Sequence, residues 1–118
     1  MYRVLITGSR YHTDVDLIHG ALKDLLEEHG KNLVIVTGGA PGADAIAYKF
    51  AVCNGLEAET YPADWEKYGK PAGPIRNQQM VDTAPDEVLA FPQGESRGTR
   101  GCIKMAEAAG LKVTVFEK

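Results

Sequence analysis

The stretch Leu33-Val34-Ile35-Val36-Thr37-Gly38-Gly39-Ala40-Pro41-Gly42-Ala43-Asp44 decides the fold. Its first five residues form a nearly continuous apolar run, the pattern of a strand buried on both faces and hence central in a parallel sheet. A glycine-rich loop follows, and then a helix with Asp44 in its first turn. Working outward, residues 2–7 (YRVLIT) repeat the buried-strand pattern and stop at Gly8. Residues 57–61 (EAETY) and 112–116 (KVTVF) alternate polar with apolar, which suits edge strands. Residues 87–91 (EVLAF) lie between these types and end at Pro92.

Helical patterns fill the gaps. Thr13 and Asp16 form a capping box, Ile18, Leu22 and Leu25 follow at helical spacing, and Gly30 stops the helix after His29. A second helix covers residues 42–53, with Ile46, Phe50 and Cys53 on one face and Asn54-Gly55 as its end. A third starts near Thr99 and carries Ile103, Ala106 and Ala109 to Gly110. A short further helix starts at Pro74, since proline suits the first helical position. Strand–helix alternation at this spacing predicts an α/β, Rossmann-like three-layer sandwich with a mainly parallel five-stranded sheet. Placing the alternating strands at the edges gives the order 3-2-1-4-5. The winding then reverses between strands one and four, and a ligand crevice opens at the carboxyl ends of the strands.

Composition bounds the rest. The 118 residues fit one domain, with 44% apolar and 25% charged residues. No apolar run approaches the roughly 18 residues of a membrane span, and the start Met1-Tyr2-Arg3-Val4 enters an apolar run at once and lacks a signal-peptide h-region, so the expected location is the cytoplasm. A net charge of −3 argues against a duplex nucleic-acid binder. Cys53 and Cys102 make neither a disulfide framework nor a zinc site and are expected as buried thiols. His12, His19 and His29 show no ligand spacing with acids or cysteines, so neither a metal nor a cofactor is expected.

The informative excess is glycine: 13 residues, against the roughly eight expected at about 7%. Many fall in three loops that the predicted topology brings to one sheet edge: Gly8-Ser9-Arg10, Gly38 to Asp44, and Pro92 to Thr99. Glycine lets backbone approach a phosphate, and helix-start N–H groups favour negative charge. Arg10 and Arg97 add guanidinium groups, while Ser9 and Thr99 add hydroxyls. Neither a Walker A loop nor a GxGxxG fingerprint is present. Asp44 is either a dipole-favoured first-turn acid, a ribose contact or a base in the crevice. Residues 62–77 (PADWEKYGKPAGPIRN) are long for a connection. The segment reads as a lid in which Trp65 stacks on a base or packs the loop down, and Arg76 and Asn77 join the site.

These motifs carry a resemblance. Gly8-Ser9-Arg10, Gly38-Gly39-Ala40-Pro41-Gly42-Ala43-Asp44, Tyr61-Pro62-Ala63-Asp64-Trp65, Gly73-Pro74-Ile75-Arg76-Asn77 and Phe91-Pro92 leading to Arg97-Gly98-Thr99 resemble the SLOG superfamily, and within it the small YspA-related proteins of bacteria and phages. The resemblance implies a nucleotide or ADP-ribose-like ligand held by Gly8, Ser9, Arg10, Gly38, Gly39, Gly42, Asp44, Trp65, Arg76, Asn77, Arg97, Gly98 and Thr99. It also implies self-association into a homo-oligomer. The LOG phosphoribohydrolases of that superfamily carry PGGxGTxxE with a catalytic glutamate. Aligning Gly98-Thr99 with that motif puts Cys102 at the glutamate position. Binding or sensing is therefore the leading expectation. N-glycosidic hydrolysis, with Asp44 as the candidate carboxylate and Glu95 as the other acid that could substitute, is the alternative. Single-strand nucleic-acid binding, by analogy with DprA, comes third.

Overall fold

The computed structural model describes residues 1–117, and its sheet order is 3-2-1-4-5 with every pair parallel. The strands are β1 (Tyr2–Gly8), β2 (Leu33–Thr37), β3 (Glu57–Thr60), β4 (Glu87–Phe91) and β5 (Val113–Val115). The helices are α1 (Val15–His29), α2 (Ala43–Cys53), α3 (Trp65–Tyr68), α4 (Ala72–Asp82) and α5 (Arg97–Ala108). Strands β2 and β4 are buried at every position, while β3 and β5 are partly or fully exposed throughout. This is the division that apolar runs and polar alternation predict.

Two cores flank the sheet because side chains alternate across it. Val4, Ile6, Leu33 and Ile35 meet Ile18 and Leu22 of α1 and Ala47 and Phe50 of α2. On the opposite face, Leu5, Val34, Val36 and Val88 meet Met80 and Val81 of α4 and Cys102 and Ala106 of α5. Each fully buried Leu or Ile contributes about 1.5–3 kcal/mol relative to exposure. The three-layer α/β architecture follows from these two faces.

The local corrections have physical causes. Asp14, not Thr13, caps α1: its carboxylate accepts from the Leu17 N–H at 3.1 Å, where a full negative charge meets the helix dipole. Helix α4 starts at Ala72, two residues before Pro74. A proline at the third helical position still costs no hydrogen bond, because the first four N–H groups have no helical acceptor. Helix α5 turns Thr99, Cys102 and Ala106 inward and leaves Ala109 exposed. Its small inward residues let it lie close to the sheet. Cys102 is buried as expected, but Cys53, at the last residue of α2, is exposed. The long 62–77 connection is ordered into α3 and the start of α4.

Candidate functional site

All three glycine loops reach the same sheet edge, because all five strands run parallel. A cleft of about 680 Å3 opens there. Of the residues proposed from sequence, Ser9, Arg10, Trp65, Arg76, Asn77, Arg97, Gly98 and Thr99 line it. Gly8, Gly38, Gly39, Gly42 and Asp44 do not.

Those five shape the edge from beneath. A Cβ on Gly8 would collide with Ala43 and sit 2.9 Å from the Phe91 carbonyl oxygen, so this glycine lets α2 pack on β1. Gly42 has φ +78°, and a Cβ there would run into the Ser9 and Arg10 backbone. Gly38 lies under the Arg76 guanidinium, which occupies the space a Cβ would need.

Asp44 closes its own loop. Its carboxylate accepts from the Gly38 N–H at 3.0 Å and the Ala40 N–H at 3.3 Å. Burial raises its pKa to about 6, against the lowering effect of those two N–H groups and of Arg76. The amides that a phosphate would use on this loop are thus already engaged. Asp44, Gly39 and Ala40 also border a separate hollow of about 350 Å3 beside Tyr48 and Thr60. Arg76, four residues into α4, donates to the Gly38 carbonyl at 2.6 Å and to the Asn77 side-chain oxygen at 2.8 Å. It ties α4 to the second loop while lining the cleft.

The third loop is arranged in the opposite way. Ser96 precedes α5 in a left-handed conformation, φ 42° and ψ 54°, and its side chain does not cap the helix. Instead the Ser96 hydroxyl closes a turn, donating to the Gln93 carbonyl at 2.6 Å and accepting from the Gln93 N–H at 2.9 Å. The first-turn N–H groups of Arg97, Gly98 and Thr99 therefore have neither a helical acceptor nor a side-chain cap. Thr99 is 4% exposed and lines the cleft, and its hydroxyl has no hydrogen-bond partner among the described residues. The first turn contains no acid but two arginines, Arg97 and Arg100, which the helix dipole disfavours. Arg97 pairs with exposed Glu95 at 2.7 Å, a contact that solvent makes weak.

Two exposed aromatics face the same space: Trp65 at 57% and Tyr11 at 76%. Sequence reasoning passed over Tyr11. The signal was present, since it directly follows Gly8-Ser9-Arg10 in a stretch without a core pattern. Cys102, at the position of the LOG glutamate, is fully buried, and burial raises its thiol pKa. Among the described residues, no group of histidine, cysteine, aspartate or glutamate has metal-binding geometry, and no helix is long and apolar enough to cross a membrane.

A parallel 3-2-1-4-5 sheet whose glycine loops converge on one open edge defines a Rossmann-like α/β protein. Residues 2–68 match the model of the YspA, cpYpsA-related SLOG family, and the chain belongs to that family. It is 46% identical over 121 residues to the Gene 61 protein of Mycobacterium phage D29, covering 98% of this chain and 97% of that one. Its fold is similar to that of DNA processing protein A from Helicobacter pylori, a protein with a unique single-stranded DNA binding mode. The TM-score is 0.70 at 21% identity, over 97% of this chain and 64% of that one. The structure of TM1055 is similar with a TM-score of 0.64 at 21% identity, over 96% of this chain and 72% of that one.

Proposed function

We propose that this protein binds a nucleotide or an ADP-ribose-like ligand in the cleft, with a phosphate on the N-terminus of α5. The observation that carries this reading is the uncapped first turn of α5, joined by Thr99, which lines the cleft and whose hydroxyl has no protein hydrogen-bond partner among the described residues. An anion there would satisfy the free N–H groups and the helix dipole together. Arg97 and Arg10 stand in the same cleft to pair with further phosphate oxygens. Trp65 and Tyr11 offer faces on which a base can stack.

The reading is one of binding without cleavage. Glycosidic hydrolysis needs a carboxylate beside the reacting carbon. Asp44 is turned into its own loop, the LOG glutamate position holds buried Cys102, and the cleft-lining Glu95 carboxylate is exposed and paired with Arg97 at 2.7 Å. A thermal-shift series with mono-, di- and triphosphates, ADP-ribose and NAD tests the proposal. A ligand at 100 times its Kd stabilises the fold by about 2.7 kcal/mol. Chromatography of the bound ligand then detects any released base. No stabilisation across the series, or steady release of base, would overturn this reading.

Single-stranded nucleic acid is the second ligand class. Its support is the pair of exposed aromatics in a cleft that also holds three arginines, since bases stack on such platforms beside cations. Salt-sensitive binding to a labelled oligonucleotide, competed by the mononucleotide, would favour it.

A further inference from the structure

We infer that Arg100 is a positioning residue: from outside the cleft, it holds the 93–97 loop in the shape that leaves the α5 amides open. This deepens the nucleotide-site reading and rests on it for its effect on affinity. Arg100 does not line the cleft. Its guanidinium instead spans three groups behind it. Nε donates to the Glu95 carbonyl at 3.0 Å, and Nη2 donates to the Gly94 carbonyl at 2.8 Å. Nη1 donates to Glu117 Oε1 at 2.8 Å, and Nη2 also reaches Glu117 Oε2 at 3.4 Å. Glu117 follows β5, so one side chain joins the loop after β4, the first turn of α5 and the end of the sheet edge.

The loop needs such a hold. Gly94 has φ +65°, and Ser96 has φ +42°, in the left-handed region that L side chains rarely adopt. The Ser96–Gln93 turn closes the loop on itself but does not fix it to the rest of the molecule. Arg100 supplies that attachment through two consecutive carbonyls. It also explains why a second arginine stands in a first turn where the dipole disfavours it. The planar guanidinium is suited to this task, because its N–H groups point in fixed directions towards three acceptors. The Glu117 carboxylate orients the fork, and Arg100 in turn holds the Glu117 carboxyl below its ordinary pKa.

Arg100→Lys keeps the charge and loses the fork, so it separates positioning from simple attraction of an anion. Two readouts are needed. The first, without ligand, is hydrogen exchange of the Gln93 amide, which is protected by the Ser96 hydroxyl. The second is ADP binding by calorimetry. In Arg100→Lys the Gln93 amide exchanges about tenfold faster, and ADP binds about tenfold more weakly. Glu117→Gln leaves both carbonyl bonds available and gives changes of about threefold in the same directions, and it serves if Arg100→Lys fails to fold. Wild-type behaviour of Arg100→Lys in both readouts would overturn the inference, because charge alone would then suffice. Weaker ADP binding with unchanged exchange would also overturn it, by making Arg100 a direct ligand contact. If wild-type protein does not bind ADP, the nucleotide reading fails for that ligand. The exchange of the Gln93 amide still decides whether Arg100 holds the loop.

Discussion

The β2–α2 loop and the β4–α5 loop leave the same sheet edge, both contain glycine, and both lead into a helix without a side-chain cap at its N-cap residue. They use these features differently. In the first, Asp44 turns back onto the Gly38 and Ala40 amides, Arg76 takes the Gly38 carbonyl, and Gly42 packs on the Ser9 and Arg10 backbone. In the second, the Ser96 side chain bonds only to Gln93, and Arg97, Gly98 and Thr99, whose amides have no helical acceptor, line a cleft. The difference teaches that glycine marks where backbone can come close, while the engagement of the amides decides what approaches. The first loop is filled by its own chain, and the second leaves its first-turn amides without a protein acceptor.

Substitutions in the filled loop should act on stability. The largest effect is expected for Gly42→Val, where a left-handed backbone and a collision with the Ser9 backbone combine. We expect a loss of about 3 kcal/mol or more in urea denaturation, or failure to fold. Asp44→Ala leaves the Gly38 and Ala40 amides unpaired and should cost about 2 kcal/mol in the same measurement. A loss below about 0.5 kcal/mol would mean that the loop does not depend on this carboxylate.

The same aspartate predicts a pH slope. Its pKa is about 6 when folded, against an ordinary 3.8, so between these pH values the folded state binds more protons than the unfolded one. The contribution of Asp44 to stability is therefore full below about pH 4 and is lost as pH rises through about 6. Asp44→Asn should remove that part of the slope. Parallel stability curves for wild type and Asp44→Asn between pH 4 and 7 would break this account.

Substitutions in the open loop should act on binding instead. Thr99→Val keeps shape and removes the unpaired hydroxyl, and Arg97→Ala removes an exposed guanidinium. Each should weaken ADP about tenfold, with stability changed by less than about 0.5 kcal/mol. Calorimetry together with a melting curve checks both halves of that statement. The smallest effect is expected for Trp65→Ala. Its exposed ring contributes stacking alone, so affinity should fall by a few fold and Tm should hold.

Much of the fold was legible because burial leaves a period in the sequence. LVIVT and YRVLIT suit central strands and EAETY and KVTVF suit edge ones, and with EVLAF placed centrally the simplest order is the observed 3-2-1-4-5. Details that depend on a single hydrogen bond were not legible. Thr13 and Asp14 both suit a cap, and only the path of the chain selects Asp14. Cys53 stands at a helix end, where the periodic face no longer predicts burial. At the site, composition could bring the loops to one edge, but it could not show that the Asp44 carboxylate satisfies its own loop. Arg100 left even less trace, because its partners Gly94, Glu95 and Glu117 come together only once β5 lies beside β4.

Amide chemical shifts during an ADP titration test the central claim most directly. The account predicts that the Gly98 and Thr99 amides move most, with saturation matching the calorimetric Kd, while the Gly38 and Ala40 amides stay on their Asp44 bonds and shift little. Large shifts at Gly38 and Ala40 with Gly98 and Thr99 unmoved would contradict it and make the β2–α2 loop the ligand site.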